Sequence, residues 1–362
     1  MIEISEAVEG YLSESLRSSA EAGGATAEQD PLRGYSQAVN ETWTSEIGPW
    51  FERNTVTQPG PAPHEIAALL GGSGTSVTVC LPTLNEATTV GPICETIRTE
   101  LMGAHRVVDQ LLVVDSGSED GTPEVAAKAG AEVHLAADLP PTPALGGPLA
   151  GKGEALWKSL AVARGDLLVW IDSDIRNFSA TFVTSLLGPL LTNDEAVMSK
   201  AFYERPLETP AGFEVKEGAR VTELAARPLI QLLYPRLAGI IQPLSGEYAV
   251  RREAIMQLPF VTGYGVDVGL LIDVVERFGL DALFQADIGV RLHRNRDLAT
   301  LGRMSFQVMQ AILMRVRAAG HLDPGSSPTH LVQFLHESLA TPVHMDLEIG
   351  ERPPMSEFLA AR

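Results

Sequence analysis

The chain has 362 residues, with 46 acidic side chains against 27 basic ones and a net charge of −19. A hydrophobic fraction of 45% with 20% charged residues excludes wholesale disorder, and the length calls for one large domain with appendages, or two domains. Excess negative charge argues against nucleic acid or an anionic membrane as partner, because both repel an acidic surface. That excess is concentrated at the ends: residues 1–70 hold 11 acids and 3 bases, and residues 321–362 hold 6 and 2. The middle is nearly balanced and its bases are mostly arginine (22 Arg against 5 Lys in the whole chain), which suits a small anionic ligand. Two cysteines exclude a disulfide framework or a four-cysteine zinc site, and Cys80 and Cys94 read as buried thiols of a reduced compartment. The first twenty residues carry four glutamates and no apolar segment, and runs such as 167–171 are too short for a bilayer, so the expectation is a soluble, cytoplasmic protein.

Residues 1–75 read as an acidic N-terminal extension holding a Trp43/Trp50/Phe51 cluster, a Pro-rich connector at 58–63, a short helix near 64–70 and a Gly/Ser linker. From Val77 the pattern becomes strand–helix alternation. Strands are expected over 77–81, 110–114, 131–135 and 167–171, separated by helices with apolar residues at three- and four-residue spacing, such as Val90, Ile93, Ile97 and Leu101. Single helices between strands imply parallel pairing with right-handed crossovers, and ligands in such sheets bind at the carboxyl ends of strands. The predicted units are a nucleotide-binding part over 76–205, an acceptor-binding part over 206–320 and a tail over 321–362.

Those strand ends are polar. Pro82-Thr-Leu84-Asn-Glu86 closes the first strand; Glu86 either accepts from a nucleoside or caps the next helix. Asp115-Ser116-Gly-Ser118 closes the second and reads as a ribose or pyrophosphate turn, or as a plain Asp/Ser/Gly turn. The fourth strand stops in Asp172-Ser173-Asp174, where two carboxylates held together call for a cation, and hard oxygen donors suit Mg²⁺ or Mn²⁺. Gly146 to Gly153 nearly matches a Walker A loop, but Gly153 stands where Ser or Thr would ligate Mg²⁺, so an NTPase is not expected, while Lys152 can still reach a diphosphate. Arg220 and Thr222 precede an apolar helix whose free N–H groups would favour a phosphate, or else Thr222 is simply its cap. Asp267 opens another helix, and His293 lies in an arginine cluster as a candidate third metal ligand.

In combination, the Pro-x-Leu-Asn-Glu, Asp-Ser-Gly-Ser and Asp-Ser-Asp strand ends resemble a GT-A nucleotide-sugar glycosyltransferase. Arg220-Val-Thr222-Glu-Leu, Gln242-Pro-Leu-Ser-Gly-Glu-Tyr248, Tyr264-Gly-Val-Asp267 and Val290-Arg-Leu-His-Arg-Asn295 narrow the resemblance to the glucosyl- and mannosyl-3-phosphoglycerate synthases, over about residues 75–318. The resemblance implies an α/β GT-A fold with a mainly parallel sheet and a smaller acceptor-binding, helical C-terminal region. It implies retaining transfer of a hexose from UDP-glucose or GDP-mannose to the 2-hydroxyl of 3-phosphoglycerate. Pro82, Leu84, Glu86 and Ser116 would contact the nucleoside, with Lys152, Asp172 and Ser173 on the rest of the donor. Asp174 and His293 would hold the divalent cation, and Arg220, Thr222 and Asn295 the acceptor phosphate. Asp267, Tyr264 and Lys152 would be the catalytic group. Departures from the family pattern are Ala219 in place of a glycine, Asp267 where glucosyl synthases usually have Glu, and a longer acidic leader. A homodimer is expected from the apolar stretch 298–316 and from the resemblance. A polyprenyl-phosphate transferase would share the early motifs but needs a membrane anchor that this acidic chain lacks, and a silent nucleotide-sugar sensor would bind donor without transfer.

Overall fold

A computed structural model of the chain describes residues 43–57, 60–140, 151–204, 207–209, 212–214, 220–292, 297–319, 330–334, 342–346 and 350–360. Within it an eight-stranded sheet runs through the body: β1 (Thr55–Val56), β2 (Val77–Thr83), β3 (Gln110–Asp115), β4 (Glu132–Leu135), β5 (Leu167–Trp170), β6 (Met198–Glu204), β7 (Tyr248–Arg251) and β8 (Leu283–Val290). Their spatial order is β1-β8-β6-β7-β5-β2-β3-β4. The helices that matter below are α1 (Gly48–Asn54), α2 (Pro63–Ser73), α3 (Ala87–Thr96), α4 (Thr122–Lys128), α5 (Lys152–Val162), α6 (Ala180–Thr192), α7 (Arg227–Leu233), α8 (Val266–Phe278), α9 (Leu298–Ala318) and α10 (Met355–Ala360).

The strands are apolar on both faces because helices cover both faces. Alternate residues divide between two cores: Leu168 and Trp170 of β5 join Leu112, Val114 and Trp157 on one side, while Leu167 and Val169 join Leu111, Val113 and Leu187 on the other. Trp170 sits edge-on to Tyr248 at 5.3 Å and donates its indole N–H to Ser159 Oγ at 3.0 Å, so its one polar atom is satisfied.

Pairing is parallel except at β7, which runs antiparallel to both β5 and β6. Strand–helix alternation alone predicts parallel neighbours; β7 escapes that rule because the long excursion between β6 and β7 lets the chain re-enter from the opposite end of the sheet. Trp170 therefore faces Tyr248, and Lys200 faces Tyr248 from the other flank. The start of β7 lies beside the end of β5 and beside Lys200 within β6, and loops from both strand directions meet there.

Residues 46–57 and 60–75 of the N-terminal extension pack on the body. Trp50 is buried and donates to Leu283 O at 3.0 Å, β1 pairs in parallel with β8, and α2 packs on α6. The C-terminal residues likewise return to the body: Glu351–Arg352 pairs antiparallel with Phe260–Val261, and Phe358 meets Trp157 at 5.4 Å. The first 42 residues and residues 141–150, with most of the Walker-like stretch, lie outside the described residues. No described helix is long and apolar enough to cross a membrane.

Candidate active site

The edge where β2, β3, β5 and β7 converge carries a chain of ion pairs. Asp172 and Asp174 follow β5 directly, so the pleat that buries Trp170 delivers both carboxylates to the sheet's rim. Lys152, at the first turn of α5, places Nζ 2.9 Å from Asp172 Oδ1 and 3.1 Å from Asp267 Oδ2. Arg291, just past β8, puts Nη2 3.1 Å from Asp172 and 2.7 Å from Asp174, and its Nε 2.7 Å from Glu247 Oε1. Tyr248 donates its hydroxyl to Asp267 at 3.2 Å, and Ser245 donates to Glu247 at 3.1 Å. Beneath them Lys200 donates to Ser245 O at 2.6 Å and lies 4.6 Å from the Tyr248 ring centroid.

Burial sets the protonation of this cluster. It works against the charge of Lys152, but Asp172 and Asp267 outweigh it and raise the ammonium's pKa, so Lys152 stays charged. Burial raises Asp267 against the opposing pull of Lys152 and Lys200, and raises Glu247 against Arg291. Lys200, with no carboxylate in hydrogen-bond contact, is lowered by burial to about 8.

Among the described residues of this cluster Asp172, Asp174, Glu247 and Asp267 face Lys152, Lys200 and Arg291, four carboxylates to three basic side chains. The donor set fits a divalent ion: two hard carboxylates already converge on one guanidinium nitrogen, which marks where positive charge is favourable. Among the described residues no three His, Cys, Asp or Glu side chains form a ready metal cage. His293 and Asn295 lie outside the described residues.

The nucleoside candidates line the neighbouring strand ends. Asp115 is buried and spent on structure: it accepts from Thr83 Oγ1 at 2.8 Å, from the amides of Gly117 and Ser118 at 2.9 and 2.8 Å, and from Ser118 Oγ at 2.5 Å. Ser118 in turn accepts from the amide of Asn85, which holds left-handed backbone at φ 58° and accepts from the Glu119 amide at 2.9 Å. The two loops are locked together, with Leu84 exposed and Pro82, Glu86 and Ser116 half-buried along the groove. Glu86 occupies the N-cap position of α3 without a side-chain cap bond; Asp120 accepts from the Ala87 amide there. Ser173 turns inward instead, donating to Pro82 O at 2.9 Å.

The acceptor candidates differ from expectation in one respect. Val221 is helical (φ −65°, ψ −38°), so Arg220 and Thr222 stand inside the opening turn of the helical run that continues into α7, not ahead of it. Arg220 is half-buried and Thr222 buried. Tyr264 lies in the turn Gly263–Gly265 before α8, where its amide donates to Gln307 of α9 at 3.1 Å. Helix α9 packs on that turn and on the segment Thr222–Ala226, tying the acceptor candidates to Tyr264 and Asp267.

Sequence reasoning missed Glu247, Tyr248 and Arg291 as members of the cluster. Both stretches were visible as motifs, but the antiparallel entry of β7 and the end of β8 were needed to bring them beside Asp172.

Residues 78–257 match the family model described as glycosyl transferase family 2. Glucosyl-3-phosphoglycerate synthase of Petrotoga mobilis is 41% identical over 293 residues, 80% of this chain and 89% of that protein. Mannosyl-3-phosphoglycerate synthase from Rubrobacter xylanophilus superposes with a TM-score of 0.78 at 38% identity, covering 87% of this chain and 98% of the other. Glucosyl-3-phosphoglycerate synthase from Mycobacterium tuberculosis, solved with Mn²⁺, UDP-glucose and phosphoglyceric acid, superposes at 0.72 with 42% identity over 84% and 98% of the two chains. The same tuberculosis protein has also been solved with Mg²⁺ and UDP. With this identity spread over most of both chains, the present chain belongs to the glucosyl-3-phosphoglycerate synthase family of glycosyltransferases.

Proposed function

We propose that the chain transfers a hexose from a nucleoside diphosphate sugar to the 2-hydroxyl of 3-phosphoglycerate with retention at the anomeric carbon. The observation that carries this reading is the Asp172–Lys152–Asp267 chain, in which one ammonium links the Asp-x-Asp strand end to the helix start beside Tyr264. Pro82, Leu84, Glu86 and Ser116 would line the nucleoside, and Lys152 and Asp172 the rest of the donor, while the inward-turned Ser173 would hold the strand ends beneath it. Asp174 and His293 would hold a divalent cation, which supplies charge neutralisation on the diphosphate. Lys152 then serves the departing phosphate as a fixed, charged donor in a site shielded from water. Arg220, Thr222 and Asn295 would grip the acceptor phosphate, with Tyr264 and Asp267 beside the sugar. The sugar–phosphate bond breaks while the acceptor oxygen bonds to the same carbon from the same face, and the hydroxyl proton leaves on the departing phosphate.

Incubating the purified protein with 3-phosphoglycerate and either UDP-glucose or GDP-mannose, with Mg²⁺ or Mn²⁺, tests this directly. UDP-glucose is the first donor to try, since the Petrotoga relative is named a glucosyl synthase. Release of nucleoside diphosphate matched by glycosylated phosphoglycerate is expected; donor hydrolysis without transfer, or preference for a polyprenyl phosphate, would overturn the reading. Asp174→Asn should lower turnover at least about a hundredfold with an unchanged circular dichroism spectrum. Arg220→Ala should raise the acceptor KM roughly ten- to a hundredfold, the worth of one charge-assisted hydrogen bond, while leaving the donor KM near wild type.

We also propose a homodimer. Leu301 and Met304 of helix α9 pack against the core, and the helix leaves Leu298 exposed and Phe306 half-buried as the apolar side chains it offers a second copy. Light scattering should give twice the chain mass of 38.8 kDa, and a monomer across micromolar concentrations would refute it.

A further inference from the structure

We infer that the C-terminal residues 350–360 act as a strap that positions Lys152 against Asp267, with Arg352 as its positioning residue. Lys152 and Asp267 stand at the starts of two different helices, α5 and α8, and the sheet reaches the pair through the side chains of Asp172 and Tyr248 named above. Beside the Lys152–Asp267 pair the two starts approach closely through backbone: a Cβ on Gly153 would overlap Val261 O, and one on Gly151 would lie 2.9 Å from Gly263 Cα. The strap crosses this junction from outside.

Toward α5, Arg352 is fully buried and grips Glu154, in the same first turn as Lys152, through two bonds of 3.0 and 2.9 Å. Its guanidinium also lies 5.2 Å from the Trp157 ring centroid, and Trp157 donates to Pro353 O at 3.0 Å. Toward α8, Glu351–Arg352 pairs with Phe260–Val261, and Gly350 exchanges two 3.0 Å bonds with Thr262, immediately before the Tyr264 turn. Glu351 lies 2.9 Å from Arg315 of α9, which pairs with Asp273 of α8 at 2.6 Å. One short segment therefore reaches both helix starts with buried polar contacts. Nothing in it is expected to touch substrate.

This inference rests on the transfer reading for Lys152, so the test has one arm that needs no reaction. In the full-length protein, hydrogen exchange of the amides over 152–156 and 262–268 is compared between wild type and Arg352→Met. Exchange at both helix starts should quicken at least about tenfold while the β2 and β5 amides stay protected. Removing one member of a buried ion pair strands the other. Glu154 also pairs with the buried Lys158 at 3.4 Å, so Glu154→Gln/Lys158→Met/Arg352→Met, which strands no charge, is measured alongside in case the single variant does not fold. In the second arm, kcat with UDP-glucose should fall about tenfold or more while the acceptor KM stays within twofold, and Arg352→Lys should recover most of the loss. Unchanged exchange in a folded variant would overturn the strap. So would altered exchange with wild-type kcat, because positioning would then have no catalytic consequence. If wild type itself transfers nothing to 3-phosphoglycerate, the transfer reading fails while the exchange result still judges the strap.

Discussion

Gly246 shows how closely the cluster is packed. A Cβ at this position would overlap Lys152 Nζ and both Asp172 carboxylate oxygens, so the constraint is space rather than backbone conformation. Gly246→Ala must push the ammonium and the carboxylate apart. A displacement on the order of 1 Å in a reacting group costs about a hundredfold in rate, and that loss in kcat is expected with little change in melting temperature. A variant within twofold of wild type would show that the Lys152–Asp172 contact is dispensable. The neighbouring Glu247–Arg291 pair is almost fully buried, and breaking such a pair by removing one partner costs roughly 3–5 kcal/mol. Charges of this kind stabilise a fold poorly compared with apolar packing, so their retention here speaks for use rather than for stability.

At the scale of elements, the groove proposed for the nucleoside is made by two loops that each lack regular structure and borrow it from the other. Asp115 is the common anchor, accepting four hydrogen bonds from Thr83, Gly117 and Ser118. Asp115→Ala would strand those donors at about 1–3 kcal/mol apiece and release both loops. The donor KM should rise at least tenfold while the acceptor KM stays near wild type; equal damage to both would mean that the loops serve the whole site. The groove was legible in the sequence because its residues follow directly on parallel strands, where the end of a hydrophobic run marks the rim. Asp172, Asp174 and Lys152 were legible for the same reason, being pinned to a strand end and a helix start. Glu247 and Arg291 were not, since Glu247 precedes its strand and reaches the rim only because β7 runs backwards. Periodicity reports which residues are buried, but not which direction a strand takes through the sheet. The depth of Arg220 and Thr222 in their helix was missed for a related reason: a helix start read from capping residues carries an error of a turn.

For the whole molecule the sheet separates two hydrophobic cores, and β6 carries a charge between them. Lys200 is fully buried, donates to Ser245 O and supports the ring of Tyr248, which holds Asp267. Burial lowers its pKa to about 8, against an ordinary value of 10.5. For a group depressed on folding, the favourable contribution is complete only above the unfolded pKa and is lost as pH falls through the folded one. At pH 7 the ammonium is therefore charged in both states and its burial weighs against the folded one. Between pH 8 and 10.5 the folded state sheds the proton first and gains stability relative to the unfolded chain. Lys200→Met has no such proton to lose, so comparing the two proteins isolates the effect. Urea unfolding at pH 7 and pH 10 should show the stability of wild type improving relative to Lys200→Met by about 2–3 kcal/mol over that interval, the free energy of a shift of two units or so. At pH 7 the variant should turn over more slowly, because Tyr248 and Asp267 lose the cation beneath them. A stability difference that does not move with pH would mean that Lys200 is held at its ordinary pKa by the surrounding carboxylates, and that the cluster gives this buried cation more support than its single carbonyl contact implies.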